Sequence, residues 1–209
     1  ARSGDVARGA VGAGTGMRAF GFKGGIGTAS RRTASGGYTV GVLLNANTGA
    51  RSELLIDGVP VGRAFAHELL PTMPKAAALA THGRAADGSV VVTIATDAPL
   101  DARELHEVAK RATLGLARTG LTSHVSSGDL LIAFSTTRLY PRDPATPLAA
   151  TIVNDDDTMD AIFAATVEAT EAAVVDALLS AKTTSGARGL TFYALPVDRV
   201  RALLARAKR

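Results

Sequence analysis

Two periods divide this chain. Runs of β-branched and apolar residues predict buried strands at "YTVGVLLNANTG" (38–49), at Val90 to Ala95, at "LLIAFST" (130–136) and at "LTFYAL" (190–195). A shorter apolar run, Leu54 to Ile56, precedes a turn at Asp57-Gly58. Between the strands the period lengthens. Leu105, Val108, Ala112 and Leu116 recur at helical spacing and predict a helix over 101–119. Asp101 is its candidate N-cap, Glu104 completes a capping box and Gly120 ends it. A long helix is predicted over 157–182, with Ile162, Val167, Val174 and Leu178 roughly on one face. Its acidic "NDDD" start suits the positive end of a helix dipole. Asp198 is read as the cap of a short basic terminal helix.

Two segments lack either period. Residues 67–88, "HELLPTMPKAAALATHGRAADG", contain two prolines and read as a surface linker. Residues 9–27, "GAVGAGTGMRAFGFKGGIG", hold eight glycines, a density that weakens helix and strand alike. No internal repeat is visible, and 209 residues suit one domain with a sizeable core. Strands and helices in this order predict a layered α/β or α+β sandwich.

Composition narrows the chemistry. Aromatic residues are 4% and Trp is absent, so Ala, Val and Leu must fill the core. There is no Cys, which removes disulfides, thiol catalysis and thiolate metal sites. The net charge of +4 hints at anionic partners. The basic residues are scattered, however, with their densest cluster at Arg199, Arg201, Arg206, Lys208 and Arg209 and no interleaved aromatics. Nucleic-acid binding is therefore not expected. No apolar run approaches the ~20 residues of a membrane helix, and no membrane partner is expected. The chain opens on Ala1 rather than Met and shows no signal peptide. A cytoplasmic location is favoured, with the periplasm as the alternative.

Several motifs carry less than they suggest. Gly14-x-Gly16-x-x-Ala19 matches the dinucleotide fingerprint formally, but no strand precedes it and "FGFKGGIG" is a poor helix. A P-loop fails at Gly21-Phe22-Lys23. Consecutive Asp155, Asp156 and Asp157 point in different directions and read as a helix start rather than a cation site. His67, His82, His106 and His124 are dispersed and read as solvent-exposed. No G-x-S-x-G elbow supports a Ser-His-Asp triad.

Gly88-Ser89 is different. One reading is a plain loop-to-strand junction. The other is a nucleophile released by cleavage of the chain before it. A free α-amine, with a pKa of about 7.7–8.0, can take the proton from the hydroxyl of its own residue. That chemistry needs a glycine before the serine, a flexible segment upstream and a rigid strand downstream. Residues 67–95 offer all three.

The stretches "GAVGAGTGMRAFGFKGGIGTASR", "GVLLNANTG", "GSVVVTIATDAPL", "SGDLLIAFST" and "NDDDTMDAIFAATVEATEAAVVDALLSA" occur in order over nearly the whole chain. Together they resemble the L-aminopeptidase D-amidase/D-esterase family, which includes the β-aminopeptidases. The resemblance implies a four-layer αββα sandwich of the ornithine acetyltransferase-like type. It implies a single domain over 1–209, cleaved between Gly88 and Ser89. Residues 1–88 then end the α-subunit and 89–209 form the β-subunit. Ser89 becomes the nucleophile, and Asn47 of "NANTG" the oxyanion donor, ahead of Asn45. Ser127 and Asp129 of "SGD" form the pair that hydrogen-bonds around the nucleophile, with Asp standing where some members have Glu. Lys23 and Gly24 of "GFKGGIG" are expected to line the site, Lys23 in a structural or electrostatic part. Family precursors are longer at the N-terminus, and that part supplies a tyrosine donor and groups that bind the substrate's amine.

The activity so implied is a self-processing aminopeptidase or amidase. It would release N-terminal amino acids from short peptides, amides or esters, without a cofactor, as an oligomer of cleaved αβ units. A nylon-oligomer-type ω-amide hydrolase is the alternative in the same chemistry, although those relatives use Thr as nucleophile. An uncleaved scaffold that binds a small ligand is the alternative outside it.

Overall fold

The computed structural model describes residues 4–72, 88–137, 153 and 155–208. Its centre is a four-stranded sheet in the order β3 (Gly25–Arg32), β4 (Thr39–Asn47), β5 (Ser89–Thr96), β6 (Leu130–Ser135). The first three strands are antiparallel neighbours, and β5 and β6 run parallel. A parallel pair needs a crossover, and helix α1 (Ala102–Arg118) supplies it. Helix α2 (Asp156–Ser180) follows β6, and helix α3 (Val197–Ala207) closes the chain. Two short ribbons complete the fold. One pairs β1 (Arg18–Ala19) with β2 (Phe22–Lys23), and the other pairs β7 (Thr184–Ser185) with β8 (Thr191–Phe192).

The helix boundaries follow their caps. Asp101 accepts from Glu104 N at 2.8 Å while Asp101 N donates to Glu104 Oε2 at 2.8 Å, which completes the capping box. Asp155 accepts from Thr158 N at 3.0 Å and opens α2, with Asp156 and Asp157 in its first turn. The acidic run is thus a helix start. In α3 the residue at the cap is Pro196, with no side-chain bond, and Asp198 lies inside the first turn. Its carboxylate therefore serves the dipole rather than a cap.

Strict alternation sorts the sheet into two faces. Val40, Val42, Leu44 and Ala46 of β4 and Val90, Val92 and Ile94 of β5 are buried. They share the core with Val108, Ala112 and Leu116 of α1 and with Ile162, Ala169, Ala173, Ala177 and Leu178 of α2. The opposite face carries Leu43, Val91, Leu130, Ile132 and Phe134, all between 38% and 52% exposed. Ser89, Asn45 and Asn47 alternate onto that same open face. Among the described residues the layers are thus one sheet and one pair of long helices, the layered α+β arrangement expected.

The glycine-rich segment departs from its expectation. Gly25–Arg32 forms a full strand rather than a loop. The reason is packing. A Cβ on Gly27 would lie 2.0 Å from the carbonyl oxygen of Ala173, so glycine lets α2 settle directly onto β3. Asp176 of α2 also accepts from Thr28 N at 3.0 Å. Upstream, Gly12–Gly16 is a single 3₁₀ turn rather than the helix a dinucleotide site requires. At the other end, "LTFYAL" contributes only the two residues of β8. Of the expected linker, 73–87 lie outside the described residues, as does His82.

Candidate active site

Asn47 ends β4 and Ser89 begins β5, and the register places them directly opposite each other on the open face of the sheet. Such cross-strand partners hold their Cβ atoms about 4.5–5.5 Å apart. The residue before the serine is tightly confined. A Cβ on Gly88 would lie 2.4 Å from the Asn47 carbonyl oxygen and 2.8 Å from Thr48 Cα, so only glycine fits. A rigid strand, a small residue ahead of it and a facing amide thus meet at one point.

The Asn47 amide is oriented from its far side. Its Oδ1 accepts from Arg18 N at 3.1 Å. Among the described residues its Nδ2 hydrogens are uncommitted, the state an oxyanion donor requires. Lys23 stands behind this contact. Its side chain is 1% exposed, and its ammonium donates to Gly14 O at 3.0 Å, Met17 O at 2.5 Å and Gly24 O at 2.9 Å. Burial lowers the pKa of Lys23. Lys23 therefore clamps the glycine-rich segment and does not touch Ser89. Gly24 packs against β4, since a Cβ there would lie 2.6 Å from Ala46 O. Asn45 sits two residues from Asn47 on the same face, its Nδ2 reaching Ala13 O at 3.4 Å and its Oδ1 buried without a partner.

The loop before β6 closes the other side. Gly128 N donates to Ser89 Oγ at 3.1 Å. Asp129 Oδ1 accepts from Val90 N at 3.1 Å and from Ser127 Oγ at 2.6 Å, and its Oδ2 accepts from Ser123 Oγ at 2.7 Å. The carboxylate thus pins the main chain one residue after Ser89 and orients the neighbouring hydroxyl. Four of the residues singled out in the sequence, Asn47, Ser89, Ser127 and Asp129, fall in one cluster. Sequence reasoning missed Gly128 and Ser123. Gly128 stood inside "SGD" as a spacer, yet it presents an N–H and leaves room for the nucleophile, a Cβ there lying only 3.2 Å from Ser89 Oγ.

His124 is also not the solvated side chain expected. It is half-buried, with Nε2 2.9 Å from Glu53 Oε1. His67 and His106 are exposed, as read. No group of three His, Cys, Asp or Glu side chains that could hold a metal occurs among the described residues. Nor is any described helix long and apolar enough to cross a membrane.

Ser89 thus opens a strand with the Asn47 amide facing it, Gly128 N on its hydroxyl and the Asp129 carboxylate on the next main-chain N–H, a set suited to nucleophilic hydrolysis. A family model of Peptidase family S58 matches residues 1–192, and the chain belongs to that family. It is 42% identical to the β-peptidyl aminopeptidase BapA of Sphingosinicella microcystinivorans, over 100% of this chain and 54% of that protein. Among solved structures it resembles the PH0078 protein of Pyrococcus horikoshii OT3, with a TM-score of 0.84 and 42% identity over 98% of this chain and 54% of that one. It also resembles the L-aminopeptidase D-Ala-esterase/amidase of Ochrobactrum anthropi, described as a prototype serine aminopeptidase and a new variant among the Ntn hydrolase fold. That match has a TM-score of 0.84 and 37% identity over 100% of this chain and 55% of that one. The chain spans about half the length of the relatives it matches.

Proposed function

We propose that this chain carries the nucleophilic centre of a self-processing serine aminopeptidase or amidase. The observation that carries the reading is the Asn47–Ser89 cross-strand pair with Gly128 N on the serine oxygen. Cleavage between Gly88 and Ser89 frees the Ser89 amine. With substrate bound, Ser89 Oγ attacks the scissile carbonyl and its proton passes to that amine. Asn47 Nδ2 stabilises the oxyanion. The C–N bond breaks, the leaving amine takes the proton from the Ser89 ammonium, and an acyl-enzyme remains. Water, deprotonated by the same amine, hydrolyses the ester and restores Ser89. Asp129 and Ser127 hold the new terminus in register throughout.

The substrate class is short peptides, amides or esters bearing a free N-terminal amine, in keeping with the named activities of the BapA and Ochrobactrum anthropi relatives. An oligomer of cleaved αβ units belongs to the same proposal.

The test is intact mass and N-terminal sequencing of the purified gene product beside Ser89→Ala. The expected result is a wild type split at Gly88-Ser89, a variant left whole, and release of amino acids from aminoacyl amides by the wild type alone. A wild type that stays one chain and hydrolyses nothing overturns the reading.

A further inference from the structure

Glu53 touches both halves of this site while sitting outside it. Its Oε2 accepts from Ala50 N at 2.7 Å, three residues past Asn47 in the turn that ends β4. Its Oε1 accepts from Thr122 Oγ1 at 3.0 Å and lies 2.9 Å from His124 Nε2. Those two residues flank Ser123, whose hydroxyl bonds Asp129, and His124 O in turn accepts from Ser127 N at 2.7 Å. The main chain reinforces the link. Leu55 N donates to Thr119 O at 2.9 Å, and a Cβ on Gly120 would lie 1.8 Å from Glu53 O. Strand pairing ties Asn47 to the 127–129 segment through β5, whereas Glu53 links the Asn47 turn to residues 122–124 directly.

We propose that Glu53 is a positioning residue that sets the spacing between the oxyanion donor Asn47 and the Ser127–Gly128–Asp129 loop around Ser89. The inference rests on the proposed serine amidase reading. A local cap of the turn at 51–53 would need only the Ala50 bond. The second carboxylate oxygen, which reaches across the fold to Thr122 and His124, is what a brace between two catalytic segments requires. Reaction geometry is sensitive to such spacing, a displacement of about 1 Å being worth on the order of 10²-fold in rate.

The experiment compares wild type, Glu53→Ala, Glu53→Gln and Thr122→Val in the whole gene product. Self-cleavage half-time is read by intact mass, and kcat and KM are read separately on an aminoacyl amide. Glu53→Ala should lengthen self-cleavage and lower kcat on the order of 10²-fold, with KM unchanged. Glu53→Gln should restore most of this, because its carbonyl accepts from Ala50 N while its amide donates to Thr122 Oγ1. Thr122→Val removes only the loop-side bond and should lower kcat several-fold, which decides the matter if Glu53→Ala does not fold. Folded variants that match wild-type kcat, with only the melting temperature reduced, overturn the brace. A wild type that neither cleaves nor hydrolyses overturns the underlying reading and the brace with it.

Discussion

Lys23 and Asn47 are joined through a single peptide group. The Lys23 ammonium donates to the carbonyl of Met17, and the N–H at the other end of that peptide, on Arg18, donates to Asn47 Oδ1. A cation on the oxygen end of a peptide strengthens the donor at its nitrogen end. The buried charge is thus coupled to the one side-chain amide that faces Ser89.

Asn47→Ala should lower kcat on the order of 10²–10³-fold, the usual loss for one oxyanion donor. Self-cleavage should slow in parallel, because the Gly88 carbonyl would use the same donor. Steady-state kinetics and a mass time course measure the two effects. An equal rise in KM with kcat intact would place Asn47 in binding instead.

Lys23→Met keeps the bulk and removes the charge. Two buried carbonyls and one part-buried carbonyl lose a donor, which should lower stability by about 1–3 kcal/mol, read by denaturant unfolding. The kcat of the folded protein should fall as well, because the Arg18–Asn47 bond weakens. Lys23→Arg should not restore it, since a planar fork does not reproduce three donors converging from one nitrogen.

Gly128→Ala places a methyl 3.2 Å from Ser89 Oγ, closer than an ordinary van der Waals contact. The shift required is a few tenths of an ångström, and self-cleavage and kcat should each fall about tenfold. The circular dichroism spectrum should be unchanged.

Glu53 also gives the fold an acid-sensitive joint. Burial pushes its pKa up, but the bonds from Ala50 N and Thr122 Oγ1 and the nearby His124 outweigh that and hold it below the usual carboxylate value. A depressed folded-state pKa stabilises the fold above the unfolded value of 4.5 and ceases to as pH falls through the folded one. Melting temperature below pH 4.5 should therefore drop more steeply in wild type than in Glu53→Gln. Parallel curves would show that the carboxylate is not linked to folding.

The strands and long helices were legible because burial on one face writes itself as a period, and because Asp101 and Asp155 announce their helices locally. Strand β3 was hidden for the opposite reason. Gly25 and Gly27 weaken a strand by themselves, and only the nearness of Gly9 to the first and of Ala173 and Ala177 to the second in the folded chain explains them. At the site, Ser89 could be picked out because a glycine and a strand signal flank it, whereas Asn47 was named only through the family resemblance. Ser123 could not, since its bond to Asp129 lies within a loop that carries no period, and Glu53 and Gly128 could not, since no local pattern records a contact across 69 residues such as Thr122 to Glu53. His124 was misjudged on the same ground.

Strand order has one last consequence. The proposed cut falls between β4 and β5, yet these two strands remain paired from Val40–Thr96 to Asn47–Ser89. Cutting there severs a connection without removing a rung of the ladder. The two fragments would stay together as one folded body, but their unfolding would change molecularity. A chain that melts alone becomes a pair that must dissociate, so the midpoint of the cleaved protein would rise with its concentration while that of Ser89→Ala would not.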